Sequence, residues 1–290
     1  MFGKNYYSNS NDIVLTHEIL PELNEYNTEL LINDKKYKYK KFFKFSEKGI
    51  YNIKIKLNIK INDFSHMFEG CQNITNIDLS FLDTQNVTNM SYMFSYCYDL
   101  KNLNLSFFET KNVTNMSYMF CSCENIQNLD LSSFDTKNVN DMSYMFSGCH
   151  NLKNLNLSSF DTHNVTSMDC IFEACYNLTS LELLNFNTKK VRFMTKMFDS
   201  CFNLKILNLN SFETKNSVSM DFMFQHCRKL EEIDLSSLDI KKVNSMKYMI
   251  EGCENLKKII FNKNYKNLDL SEIIKKNHNI FNENFEIIYK

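Results

Sequence analysis

At 290 residues and 43% hydrophobic content, the chain has enough apolar material for a sizeable core, which excludes a disordered protein. Its formal net charge of −1 argues against a general affinity for nucleic acid or an anionic membrane, either of which needs a broad basic excess. No stretch reaches the roughly 18 apolar residues of a membrane-spanning helix. The amino terminus, MFGKNYYSNSND, has no apolar signal core, so a native start at Met1 implies a cytoplasmic protein, with an extracellular or cell-surface location as the alternative.

In chain order, residues 1–28 carry weak periodicity, with room for one helix near Ile19–Tyr26. Residues 29–60 alternate apolar and polar side chains, most clearly from Tyr51 to Leu57, beside a lysine-rich run from Lys35 to Lys44. This reads as a β-rich cap. From residue 61 to 262 one pattern returns every 26 residues. An apolar pair opens at Met67, Met93, Met119, Met145, Ile171, Met197, Met223 and Met249, and a cysteine follows each, from Cys71 to Cys253. A period of that length marks a solenoid in which each coil covers the hydrophobic face of the next.

One coil shows the expected parts. Leu100, Leu103 and Leu105 form L-x-x-L-x-L, with Asn102, Asn104 and Ser106 between them, predicting a short strand with one apolar face. Phe108 follows the strand and Val113 is the next inward residue. Met116, Met119, Phe120 and Cys123 then fall at i, i+3, i+4 and i+7, predicting a helix of two to three turns. The fold class is therefore α/β, a leucine-rich-repeat solenoid of about eight coils, each with a parallel strand and a short helix. Residues 263–290 form the second cap, with a last solenoid strand at Leu256–Phe261, a helix over Leu268–Lys276 and a closing strand at Phe285–Tyr289.

The phrase NLKNLNLSSFDTHNVTSM at Asn151–Met168, followed by Phe-x-x-Cys, resembles the 26-residue repeat of BspA-like leucine-rich-repeat surface proteins, which also occurs in mycoplasma lipoproteins. The resemblance covers about residues 61–262. It implies an α/β solenoid with a non-enzymatic binding or adhesion role. The chain shows no secretion signal, lipobox cysteine or wall anchor of the bacterial members.

Candidate chemistry is sparse. The six histidines share no metal-ligand spacing, and no nucleophile elbow, phosphate loop or zinc-protease motif is present. The eight repeating cysteines sit on the predicted apolar face, where a thiol acts as a small hydrophobe. Cys121 and Cys170 fall outside that column and are expected to be the exposed thiols. Neither catalysis nor a cofactor or metal is expected. Asn-x-Thr sequons at Asn86, Asn112 and Asn164 follow from the repeat, and a glycan ligand enters only if the protein is extracellular.

Binding is the expected function, with a protein as partner and neither nucleic acid nor membrane insertion involved. An adhesin and a purely structural spacer are the alternatives. The outward strand face, including Asn128, Asp130, Asn154 and Asn156, is one candidate surface. Coils four to six break the polar pattern at Leu184, Arg192, Phe193, Phe202 and Ile206, a second. A row of aromatics at Tyr92, Tyr118, Tyr144, Phe222 and Tyr248, expected to point away from the core, is the alternative interface.

Overall fold

The computed structural model describes residues 12–14, 23–40, 42–44, 53–77, 79, 82–216, 219–267 and 285–290. Two antiparallel units open the chain. Strand β1 (Asp12–Val14) pairs with β4 (Phe42–Lys44), and β2 (Thr28–Ile32) lies between β3 (Lys35–Tyr37) and β5 (Ile53–Leu57). The expected β-rich cap is thus present. Alternation sets its polarity: Leu30, Ile32 and Ile55 are buried, while Lys36, Lys54 and Lys56 face outward. Glu25–Asn27 form a turn, and the rest of the helix expected near Ile19–Tyr26 lies outside the described residues.

Eight short strands then recur at 26-residue intervals, enclosing seven complete coil steps. They are β6 (Asn76–Ile77), β7 (Asn102–Leu103), β8 (Asn128–Leu129), β9 (Asn154–Leu155), β10 (Ser180–Leu181), β11 (Ile206–Leu207), β12 (Glu232–Asp234) and β13 (Lys258–Phe261). The recorded pairings are parallel and in register, as Asn128 against Asn154 and Ser180 against Ile206. Half a coil round from the strands runs a second parallel ladder of single bridges, Asp63–Asn89–Asn115–Asp141–Ser167–Phe193–Ser219–Ser245. A closing strand, β14 (Glu286–Tyr289), pairs parallel with β13, as expected; the helix expected over Leu268–Lys276 lies outside the described residues.

The expected helix in each coil is absent. Residues 91–96 and their equivalents are consecutive tight turns, and the described residues hold only two three-residue 3₁₀ segments, Ile240–Lys242 and Lys263–Tyr265. Two causes are visible. First, the N–H groups alternate in use. Those of Tyr92, Phe94 and Tyr96 donate to Ser117, Met119 and Cys121 of the next coil, whereas those of Met93, Ser95 and Cys97 donate to the carbonyl three residues back. An α-helix needs every interior N–H for the carbonyl four residues back. Second, two residues in each turn hold positive φ, such as Tyr118 at 57° and Ser122 at 57°, which a right-handed helix cannot contain. The architecture is therefore a β-solenoid built from strands, bridges and stacked turns.

The core is one continuous column running from the cap sheet to β14's neighbours. Equivalent rings stack from coil to coil, as Phe94 on Phe120 with centroids 5.7 Å apart and Phe134 on Phe160 at 6.5 Å. Polar atoms inside the coil are satisfied the same way. The buried Thr136 hydroxyl donates to the Asp161 carbonyl (2.9 Å) and accepts from the Asp161 N–H (2.8 Å), a pattern repeated at Thr110, Thr162 and Thr188.

Candidate functional site

The outward strand face is built from two alternating positions per coil. At the first, Asn76, Asn102, Asn128 and Asn154 are exposed, and the Asn102 amide donates to Asn76 at 2.8 Å. At the second, the side-chain oxygens of Asn104, Asp130, Asn156 and Asn208 each accept the N–H two residues on, closing the turn after the strand. That N–H, from Ser132, holds the exposed Asp130 carboxyl below the usual aspartate range. These side chains serve the fold and still present polar edges to solvent.

The pattern breaks in coils five and six. Glu182 occupies the second position without an ion-pair partner among the described residues. Leu184, where neighbouring coils have Ser158 and Asn210, is 57% exposed, and Ile206, beside Ser180 in register, is 65% exposed. Asn154, Asn156, Ser158, Ser180, Glu182 and Leu184 line an open groove of about 510 Å³. Thus the structure gathers three of the predicted residues, Asn154, Asn156 and Leu184, at one hollow. Asn128 and Asp130 lie one coil away, and Ile206 lies on the next strand.

Arg192, Phe193 and Phe202 lie elsewhere. Phe193 sits in the bridge ladder, half a coil from the strands. In the preceding coils this slot holds Asn89, Asn115 or Asp141, whose side chains accept the N–H two residues on. Phenylalanine cannot, and Asp169 of the previous coil accepts the orphaned Thr195 N–H instead, at 2.7 Å. Arg192 is exposed where Thr114 and Thr166 donate to the coil before. Phe202 is half-buried in a stack: Glu124 contacts His150, His150 stacks on Tyr176 (4.3 Å), Tyr176 on Phe202 (4.6 Å), and the Arg228 guanidinium covers Phe202 at 4.6 Å. The members of this ladder recur at the 26-residue interval, but their differing side chains give it no signature in the sequence.

The tyrosine row stands outside the core, but its rings pack on one another rather than projecting singly into solvent. Its members are half-buried because each ring lies against its copies: His66 on Tyr92 at 4.5 Å, Tyr92 on Tyr118 at 4.4 Å, Tyr118 on Tyr144 at 4.3 Å, and Phe222 on Tyr248 at 5.0 Å. Cys170 and Lys196 fill the intervening slots, Lys196 paired with Glu173 (3.3 Å) and Asp199 (3.6 Å). The ring faces are consumed within the ladder, and only edges remain outward.

The cysteine column is buried as expected. The Cys97 thiol donates to the Phe68 carbonyl at 3.1 Å, and the next six coils repeat the bond. Burial pushes the Cys97 and Cys253 thiols up to about 12. The expected exposure of Cys121 and Cys170 is not found: both are buried, at 6% and 2% accessible. A helical wheel placed them outward, but the turns leave them roofed by side chains of adjacent coils. The described residues contain no group of three or more histidines, cysteines or carboxylates able to hold a metal.

Family comparison adds to this geometry. The model of the family described as "Mycoplasma protein of unknown function, DUF285" matches residues 62–182 and 173–287. The chain belongs to this family. No curated protein matches it. Among solved structures, a leucine-rich cell surface protein from Faecalibacterium prausnitzii is similar, at 16% identity over 78% of this chain and 76% of that one, with a TM-score of 0.30. A TLR13–ssRNA13 complex shows 17% identity over 79% of this chain and 35% of its own, with a TM-score of 0.30. The functional domain of InlJ from Listeria monocytogenes, described as including a cysteine ladder, shows 15% identity over 73% of this chain and 51% of its own, with a TM-score of 0.25.

Proposed function

We propose that this DUF285 member is a non-catalytic scaffold whose solenoid, residues 61–262 between caps at 1–60 and 263–290, binds a protein partner on its strand face. The observation that carries this reading is the break at Leu184 and Ile206. A polar face with asparagine at each strand start gives way to two aliphatic side chains, each more than half exposed, beside an open groove that holds Glu182. Neither aliphatic group fills the core, and each costs solubility, so partner burial is the function that accounts for them. A basic group on the partner would complement Glu182. Arg192 with Phe193, and Phe202 within its ladder, are separate secondary candidates.

The adhesin reading has less support. Sugar recognition by aromatics uses open ring faces, and those of Tyr92, Tyr118 and Tyr144 are covered by one another. A cell-surface location is what the resemblance implies, and surface biotinylation of intact cells tests it. The binding test uses cross-linked pull-down from native cells with three forms of the chain. Leu184→Ser with Ile206→Asn should abolish recovery of the partner, while Arg192→Ala with Phe193→Ser should leave it. Melting temperatures should stay within a few degrees of the parent in both, since surface changes cost about 0.5 kcal/mol or less. The opposite outcome moves the interface to the bridge ladder and refutes the assignment.

A further inference from the structure

The net charge of −1 conceals a strong asymmetry. Residues 23–60 hold ten lysines, four acids and no arginine, an excess of six positive charges that leaves the rest of the chain at −7. The fold leaves seven of these lysines exposed on the cap, on both faces of its sheet. In the three-stranded cap sheet, Leu30, Ile32 and Ile55 turn inward to the core, and alternation directs Lys36, Lys54 and Lys56 to the opposite face. Lys36 and Lys54 flank Leu31 in register, and Lys56 lies opposite Glu29. Acids neutralise only part of the charge. Lys36 and Lys56 share Glu29, Lys38 pairs with Glu25, and Lys54 pairs with Asp34. Lys35, Lys40 and Lys60 are exposed and have no ion pair among the described residues.

Aromatic side chains accompany the lysines. Tyr26 is 88% exposed and Tyr37 is 41% exposed. Beside them Tyr26, Lys38, Tyr39 and Lys40 line a hollow of about 370 Å³. We propose that the exposed lysines of the N-terminal cap dock the protein, peripherally, on an anionic lipid surface. Lysine is a compact hydrated charge without the planar fork that grips individual phosphates, so cap cations that are all lysine suit a diffuse negative plane better than a shaped phosphate site. Tyrosine is amphipathic and favours the boundary between headgroup and acyl chain. The sheet is a cap at the N-terminal end of the coil array, so docking there leaves the strand face free for its own partner. No part of the proposal needs a spanning helix.

The experiment is co-sedimentation of the full chain with phosphatidylcholine vesicles, with and without about a third phosphatidylserine, at two salt concentrations. The expected result is binding to the anionic vesicles alone, weakening as salt rises. Lys35→Glu with Lys40→Glu and Lys60→Glu should weaken that binding by roughly tenfold or more, because three attractive charges become repulsive. These lysines lie outside the ion pairs, and an unchanged melting temperature verifies the fold. Lys205→Glu with Lys229→Glu, in the solenoid, should bind as the parent does. Equal binding to neutral vesicles, or an undiminished triple variant, overturns the proposal. Binding to soluble polyphosphate with no binding to vesicles also overturns it, by assigning these lysines to a free polyanion.

Discussion

At the residue scale, the thiols and glycines make the sharpest statements. All ten cysteines are free and buried, and burial pushes the Cys97, Cys170 and Cys253 thiols up to about 12. The thiolate is the reactive form, so labelling of the native protein at neutral pH should be slow at every cysteine, Cys121 and Cys170 included. Urea should release all ten together; rapid modification of any one in the native state would contradict this burial. Glycine provides a second test. Gly70 and Gly252 share a slot with φ of 71° and 73°, but a Cβ at Gly252 would lie 2.1 Å from His226 Nδ1, whereas at Gly70 nothing lies within 4 Å. Gly70→Ala should cost about 1 kcal/mol for its backbone alone, and Gly252→Ala clearly more, since the imidazole must also move. Urea titration of both variants checks the order. The recurrence of glycine at Gly70, Gly148 and Gly252 was the one sequence signal of the left-handed slot. Tyr96 and Ser122 in the same slot gave none.

At the element scale, the strand of each coil was legible and the turn was not. Leu103 and Leu105 alternate with asparagines, and no other regular element has a period of two. Met116, Met119, Phe120 and Cys123 match a helix face, yet a run of tight turns can place the same four positions inward, so spacing alone did not separate the two. What separates them is the destination of the N–H groups, which depends on a neighbour 26 residues away. The same blindness misplaced Cys170 and hid the stacking of Tyr118, because a wheel drawn for one coil omits the copies above and below. The threonine ladder tests how much such contacts between coils contribute. Thr136→Val keeps the shape but strips both partners from the Asp161 backbone. It should cost roughly 1–3 kcal/mol in equilibrium unfolding, the penalty for buried polar groups left unmatched. A neutral result would mean that water enters the coil.

At the scale of the whole molecule, the 26-residue repeat makes a rod whose faces carry different chemistry: amides and two exposed aliphatics along the strands, packed rings along the turns, and lysines at the N-terminal cap. The rod and its outward amides could be read from the sequence, since repetition fixes them. The candidate site was legible in part. Asn154, Asn156 and Leu184 meet at one groove, but Arg192 and Phe193, adjacent in sequence to no strand, belong half a coil away. Everything said of the surfaces depends on coils closed by stacked turns. Far-UV circular dichroism of the full chain tests that directly. Eight helices of two to three turns would place roughly a quarter of the residues in helix and give a pronounced minimum at about 222 nm. The stacked-turn solenoid predicts a β-type spectrum without that repeated helical contribution, and a clear helical minimum of the larger size would contradict it.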